Sequence, residues 1–205
     1  MGLRQRISAH PERPPGPAWT AAISVSVISV AIGLLGDVGR DWLAFDRAAI
    51  LAGDYWRLLT AHFTHLSTQH LFYNLTGLTI ITYLVATTLR AGEWLLTWGL
   101  AIVAVSAGLW FWQPGLQWYV GLSGVQHSLL TAGLVATVGR WGIDFWIVAI
   151  VVAAKLAYEQ LVGPLSVSEG ASGDAVIVAS HLYGAIAGCV SGAWVAIRVR
   201  TRSAI

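Results

Sequence analysis

The chain has 205 residues, of which 56% are hydrophobic and only 11% are charged, and its mean hydropathy is +0.67. A water-soluble domain of this size carries about 25% charged residues, so the composition excludes an ordinary soluble domain, and it equally excludes a disordered chain. The net charge of +2 argues against a nucleic-acid partner, and the single cysteine, Cys189, excludes a disulfide framework. We therefore expect an all-α integral membrane protein whose surroundings are the lipid bilayer.

Six apolar stretches approach the length of about 20 residues that a membrane-spanning helix needs. In chain order they are residues 19–35, 67–89, 94–112, 122–138, 143–162 and 175–197. The segment 36–57 is too polar to cross a membrane, and its apolar residues predict an element at the interface. The sequence thus predicts a six-span domain over 19–197, an N-terminal tail over 1–18 and a C-terminal tail over 198–205.

The distribution of Lys and Arg predicts the orientation, because cytoplasmic loops are enriched in these residues. With the N-terminus inside, eight arginines fall on the cytoplasmic side and three (Arg40, Arg47 and Arg57) fall outside. Both tails are therefore predicted to be cytoplasmic. The second, fourth and sixth spans then begin at the outer face.

Polar residues concentrate at the outer ends of these same three spans, where each ionisable group suggests a functional site. In the second span, His70 and Asn74 are four residues apart and so share one helical face. Ser123 lies at the start of the fourth span, and His181 lies at the start of the sixth. The inner halves of these spans are largely apolar.

Small residues predict how the fourth and sixth spans pack. Glycines recur at every fourth position of the sixth span, and a second stripe of small residues runs along the fourth span. The two stripes are Gly184, Gly188 and Gly192, and Gly124, Ser128 and Ala132. Such stripes let helix backbones approach closely in lipid. Their contact would bring Ser123 and His181 to similar depth.

A serine hydroxyl becomes a strong nucleophile when a histidine within hydrogen-bond reach takes its proton. Attack on an amide then needs donors for the oxyanion, and His70, Asn74 and the backbone N–H of Ser123 are donors of that kind. We expect no Asp or Glu beside His181, since Asp174 lies in the preceding loop, so a Ser–His dyad is the simplest arrangement. Without a carboxylate beside the histidines and without an HExxH motif, we expect no metal and no cofactor.

These motifs resemble the rhomboid intramembrane serine proteases over all six predicted spans. The matching residues are Gly121, Leu122, Ser123 and Gly124 (GLSG), His65, His70 and Asn74 (HxxxxHxxxN), His181, Gly184 and Gly188 (HxxGxxxG), and the Trp56-Arg57 pair. The resemblance implies a six-helix rhomboid-like bundle that cleaves membrane-anchored proteins. It also implies that Ser123 is the nucleophile and His181 the general base, and that His70 and Asn74 form the oxyanion hole with the backbone of Ser123.

Two stretches are similar to a narrower group, the rhombosortases: YWRLLTAHFTHL (55–66) and GLSGVQH (121–127). That resemblance implies a bacterial inner-membrane enzyme with its active site toward the periplasm. It implies a substrate with a C-terminal tail made of a Gly-Gly motif, an apolar span and a basic end. A general rhomboid protease of broader specificity is the alternative.

Three further histidines need an interpretation. His62 is expected at the membrane interface. His65 is expected to shape the entry of the loop into the second span, since on a continuous helix it would face away from His70. His127, one turn after Ser123, is a competing base or, as we favour, a residue that packs beneath the nucleophile.

Lys155 and Glu159, four residues apart in the fifth span, predict a self-neutralising pair whose lysine reaches outward to the interface, and a contact with substrate is the alternative. Trp56 and Arg57 are expected to anchor the first outer loop.

Two other classes of function compete with a protease. An inactive rhomboid-like protein that binds membrane clients would be expected to lack the serine or the histidine. A transporter or channel would be expected to continue its polar residues to the cytoplasmic side. Neither expectation matches the sequence.

Overall fold

The computed structural model describes residues 16–138, 142–165 and 176–202. The described helices are α1 (Gly16–Gly33), α2 (Gly36–Leu43), α3 (Arg47–Leu51), α4 (Arg57–Thr60), α5 (Thr68–Val85), α6 (Ala91–Trp112), α7 (Ser123–Ala136), α8 (Ile143–Leu161) and α9 (Val178–Arg202). A 3₁₀ turn (Ala61–Phe63) separates α4 from α5. Two short strands, β1 (Phe45–Asp46) and β2 (Trp118–Tyr119), pair antiparallel.

Helices α1, α5, α6, α7, α8 and α9 follow the six predicted apolar stretches, with boundaries that differ by at most five residues. Local capping explains two of the differences. The hydroxyl of Ser67 accepts a hydrogen bond from the N–H of His70 at 3.1 Å and so starts α5. The carboxylate of Glu93 accepts from the N–H of Arg90 at 2.7 Å, so α6 begins earlier than predicted. Residues 16–18 and 198–202 of the two predicted tails are helical, as parts of α1 and α9. The rest of the tails (1–15 and 203–205), Asp174 and residue 175 lie outside the described residues.

Among the described helices, three are long and apolar enough to cross a membrane: Gly16–Gly33, Ala91–Trp112 and Val178–Val199. The other three long helices fall short for identifiable reasons. The first turns of α5 are polar, α8 carries three charged residues (Asp144, Lys155 and Glu159), and α7 has only 14 residues, about 21 Å of helix. Four of the polar residues in α5 and α8, namely His70, Asn74, Lys155 and Glu159, belong to the candidate site described below.

Helix α9 packs against α7 along the predicted stripes of small residues. A β-carbon at Gly184 would overlap the carbonyl of Gly124. One at Gly192 would lie 2.6 Å from the carbonyl oxygen of Ala132, which is inside van der Waals contact. The close packing predicted from these stripes is therefore confirmed, and it holds the two helices backbone to backbone.

The polar segment between α1 and α5 folds over one end of the bundle, and β1 ties it to the loop before α7. The register pairs Phe45 with Tyr119 and Asp46 with Trp118. Arg47 follows β1, and its guanidinium donates to four backbone carbonyls at the end of α6 and the loop after it, at 2.8–3.2 Å. These bonds satisfy carbonyls that a helix end leaves without partners. They fix the loop that leads into Ser123.

Candidate active site

Ser123 is the first residue of α7, and the loop before it is firmly held. Gly121 donates its N–H to the carbonyl of Ala61 at 3.0 Å, and its own carbonyl accepts from the hydroxyl of Tyr119 at 2.8 Å. The φ of Gly121 is +130°, a conformation that side chains with a β-carbon rarely adopt. Because Ser123 begins the helix, its N–H has no acceptor within the helix.

His181 lies in the first turn of α9, and its Nε2 is 2.9 Å from the Oγ of Ser123. The side chain of His181 is 4% exposed. The contact follows from the packing of Gly184 against Gly124, which leaves no side chain between the first turns of the two helices. A serine hydroxyl in this contact has its base within proton-transfer distance.

A carboxylate meets the other edge of His181, contrary to the sequence-based expectation. The Oε2 of Glu159 is 2.9 Å from His181 Nδ1, and the Glu159 side chain is fully buried. The expectation that no Asp or Glu lies beside His181 is therefore wrong, because α8 turns Glu159 toward α9. One signal could have shown it: an ionisable residue in the middle of an apolar helix is costly and needs a partner.

The predicted pairing of Lys155 with Glu159 is confirmed, since Lys155 Nζ is 2.7 Å from Glu159 Oε1. The predicted outward reach of the lysine is wrong, because the ammonium also lies 3.0 Å from His127 Nε2. The Lys155 ammonium therefore lies between the side chains of Glu159 and His127. Its third neighbour is His181 Nδ1, at 3.5 Å.

His127 lies beneath the nucleophile, as expected, and its ring stacks on the ring of His181 with centroids 4.2 Å apart. Its Nδ1 is 2.7 Å from the backbone carbonyl of Ser123. An ammonium only donates, so Nε2 accepts from Lys155 and Nδ1 donates to that carbonyl. In this arrangement neither nitrogen of His127 is directed at the Ser123 hydroxyl.

His127, Glu159 and His181 each bring a ligand-type atom, and these atoms lie within 4.8 Å of one another. The premise that no carboxylate accompanies the histidines is thus wrong. However, the Lys155 ammonium contacts all three side chains and takes the position that a cation would occupy. A cation of the chain itself therefore already lies between the three side chains.

His70 and Asn74 share one face of α5, as predicted, and the amide Nδ2 of Asn74 donates to the carbonyl of His70 at 3.1 Å. The N–H of Leu66 donates to His70 Nδ1 at 3.4 Å, so a neutral His70 carries its proton on Nε2. A β-carbon at Gly121 would lie 3.4 Å from that Nε2 and 4.0 Å from Ser123 Oγ. The glycine thus leaves open the space between the imidazole and the hydroxyl.

Gln126 is a further residue at the site that the sequence did not single out. It is 6% exposed, and its amide donates to the backbone carbonyl of Asn74 at 2.6 Å. A β-carbon at Gly77 would lie 2.9 Å from its Oε1. Gln126 therefore fixes α5 against α7.

His65 and His62 precede α5 and lie outside the membrane-spanning helices. The helix begins at Thr68, so the chain before it turns, and the His65 ring meets the His70 ring edge to face with centroids 5.1 Å apart. His62 is not at the interface as expected: it is 1% exposed, with Nε2 2.9 Å from the Oγ of Ser106. Burial lowers the pKa of His65 to about 3 and that of His62 to about 4.

Trp56 and Arg57 hold the segment between α1 and α5 in place, in agreement with the anchoring role expected from the sequence. The Arg57 guanidinium is buried and donates to the carbonyls of Asp41 and Ala44 at 2.8 and 3.1 Å. It also pairs with Asp54 at 3.1 Å. The indole N–H of Trp56 donates to the carbonyl of Trp42 at 3.3 Å.

The site therefore combines a hydroxyl, an imidazole and a carboxylate in one hydrogen-bonded line at the junction of α7, α8 and α9. Comparison with known proteins adds that the family described as Rhomboid domain matches residues 52–198. The chain belongs to the rhomboid family. The matched range contains every residue of the hydrogen-bonded line and leaves α1, α2, β1 and α3 outside.

Among curated relatives, the rhomboid proteases GlpG of Salmonella paratyphi A, Salmonella typhi and Salmonella choleraesuis are each 28% identical over 134 residues. The alignment covers 63% of this chain and 48% of each relative. This rhomboid chain thus spans about half the length of the curated relatives it matches.

Proposed function

We propose that this chain is an intramembrane serine endopeptidase that hydrolyses a peptide bond in or next to a transmembrane segment of another membrane-anchored protein. The observation that carries the proposal is the 2.9 Å contact between Ser123 Oγ and His181 Nε2 in a helical membrane domain. Membership in the rhomboid family and the relatives named rhomboid proteases support it.

In the proposed reaction, Ser123 is the nucleophile and His181 the general base. His181 Nε2 takes the hydroxyl proton as Oγ bonds to the scissile carbonyl carbon. The imidazolium then protonates the leaving amine, and the carbon–nitrogen bond breaks to leave an acyl ester on Ser123. Water, deprotonated by His181, attacks that ester and releases the new carboxylate.

The oxyanion of the tetrahedral intermediate needs donors directed at the space beside Ser123. We assign this role to the Nε2–H of His70, the amide of Asn74 and the backbone N–H of Ser123. The open space above Gly121, bounded by His70 and Ser123 Oγ, supports the assignment. A substrate carbonyl there would lie between nucleophile and donor.

The finer assignment is to the rhombosortase group, with a Gly-Gly, apolar and basic C-terminal tail as substrate. A peptide bond inside a helix is hidden by its own hydrogen bonds, so cleavage needs a local helix breaker such as glycine. The proposed setting is the bacterial inner membrane, with six spans, cytoplasmic tails and the site toward the periplasm. The six long helices and the arginine distribution support this topology.

Co-expression with a reporter that ends in such a tail tests the proposal. Wild type should release the tail, whereas Ser123→Ala and His181→Ala should not. Ser128→Ala is the matched control, since it makes the same change one turn and a half further along α7 and keeps the residue small. Cleavage by Ser123→Ala at the wild-type rate would refute the serine mechanism.

A second reporter carries a generic transmembrane span destabilised by glycine. It tests the protease assignment separately from the rhombosortase assignment. If wild type cuts the generic span and leaves the Gly-Gly tail intact, the protease assignment holds and the rhombosortase assignment fails. Preference for the Gly-Gly tail supports both.

A further inference from the structure

Helix α8 contributes Lys155 and Glu159 to the interior of a membrane protein. Burying such ionisable side chains is costly unless they are paired and hydrogen-bonded. Glu159 has no exposed side-chain surface, and both of its oxygens are engaged. Oε1 lies 2.7 Å from Lys155 Nζ and Oε2 lies 2.9 Å from His181 Nδ1. The carboxylate therefore stands between one ammonium and one imidazole.

A carboxylate only accepts hydrogen bonds, so His181 Nδ1 must carry the proton that it shares with Glu159. A neutral imidazole with its proton on Nδ1 has a free lone pair on Nε2, the atom that faces Ser123 Oγ. Glu159 thus selects the one neutral tautomer of His181 that can accept the serine proton. The opposite charge of the carboxylate also favours the imidazolium formed when that proton arrives.

Lys155 determines which oxygen of the Glu159 carboxylate faces His181. Its ammonium donates to Glu159 Oε1 and to His127 Nε2 at 3.0 Å. In the Nδ1–H tautomer, His181 Nδ1 and the ammonium are both donors, so their 3.5 Å separation is not a hydrogen bond. The lysine therefore holds Oε1 and leaves Oε2 to His181.

We propose that Glu159, oriented by Lys155, is a positioning residue that fixes the tautomer and ring orientation of His181, so that the site works as a Ser123–His181–Glu159 triad. The inference rests on the proposed protease function and adds a residue from α8 to it. Both α8 residues act through His181, because neither contacts Ser123.

One substitution distinguishes this role from simple packing. In Glu159→Gln the side chain keeps its shape but has one oxygen and one NH₂ group. Lys155 only donates, so it requires the oxygen, and the NH₂ group is left facing His181 Nδ1. Nδ1 must then accept, which puts the ring proton on Nε2 and blocks proton transfer from Ser123.

We expect Glu159→Gln to lower kcat about 10⁴-fold with little change in KM, as loss of the correct tautomer does in a serine triad. In Lys155→Met/Glu159→Gln the amide is free to turn its oxygen toward His181 Nδ1. The double variant should therefore recover at least about ten-fold over Glu159→Gln, although it lacks the whole ion pair.

The experiment measures reporter cleavage by the full chain in detergent, together with ¹⁵N chemical shifts of His181. Glu93→Gln makes the same chemical change on α6 and should keep wild-type activity. Folding is monitored by thermal denaturation, and a double variant that is more active than the single one cannot be explained by lost stability.

Wild-type activity of Glu159→Gln would overturn the inference. So would equal inactivity of the single and double variants with the His181 proton still on Nδ1. These results are distinct from failure of the protease proposal, in which Ser123→Ala would cleave as well as wild type.

Discussion

Gly184→Ala should uncouple Ser123 from His181 without touching either residue. A β-carbon at position 184 would overlap the carbonyl of Gly124, so α9 must move away from α7. A shift of about 1 Å would lengthen the 2.9 Å Oγ–Nε2 contact to about 3.9 Å, beyond hydrogen-bond range. Misplacement on that scale costs about 10²-fold in rate.

The stability effect has two opposing parts. Alanine is favoured over glycine in a helix by about 1 kcal/mol, whereas forcing an extra carbon into a packed interface costs about 1–3 kcal/mol. We therefore expect a net loss of up to about 2 kcal/mol. The matched control is Gly99→Ala on α6, where no atom lies within 4 Å of the added carbon. That control should be neutral or slightly stabilising and fully active.

The assay is reporter cleavage beside thermal denaturation of both variants in the same detergent. Activity and stability of Gly184→Ala equal to those of Gly99→Ala would refute the reasoning that the glycine stripe sets the separation of α7 and α9.

Two further predictions concern the segment before α5. Arg57→Ala leaves the carbonyls of Asp41 and Ala44 without this donor and should cost about 1–3 kcal/mol of stability. Arg40→Ala loses two ion pairs with exposed carboxylates and one longer bond, at 3.3 Å, to the carbonyl of Leu66, so it should cost less than Arg57→Ala; equal melting temperatures of the two variants would contradict this. Because burial holds the pKa of His62 at about 4, against 6.5 in an unfolded chain, the unfolded state binds more protons between these values. Stability should therefore be fully present above pH 6.5 and fall by up to about 3 kcal/mol as the pH drops to 4, with a smaller fall in His62→Gln; identical pH profiles for the two proteins would contradict it.

The sequence predicts those parts of the site that depend on a regular helix or on small residues. His70 and Asn74 share a face because their spacing matches the helical period. Ser123 and His181 meet because the small residues on α7 and α9 let the two helices pack backbone to backbone. In both cases the spacing of the residues along the chain determines which side chains lie close together in the fold.

The contact between Glu159 and His181 escapes prediction because it depends on the rotation of α8 about its own axis. The helix is apolar on most of its surface, so its hydrophobic pattern does not indicate which face points inward. The spacing of Lys155 and Glu159 predicts their pairing, but a carboxylate has two oxygens, and the pair leaves the second oxygen available to His181.

His62 departs from its expected place for a different reason: the chain before α5 is a 3₁₀ turn and a bend, so helical spacing does not apply to it. The bend places the His65 ring against His70, and the turn directs His62 inward to Ser106.

Covalent labelling with a fluorophosphonate tests the central claim most directly, because such reagents phosphonylate a serine only when a base activates it. The labelled residue is identified by mass spectrometry of the full chain. We predict modification of Ser123 in wild type, none in His181→Ala, and slow modification in Glu159→Gln that accelerates when Lys155→Met is added. Labelling of Ser123 at equal rates in wild type and His181→Ala, or labelling confined to another serine, would contradict the account.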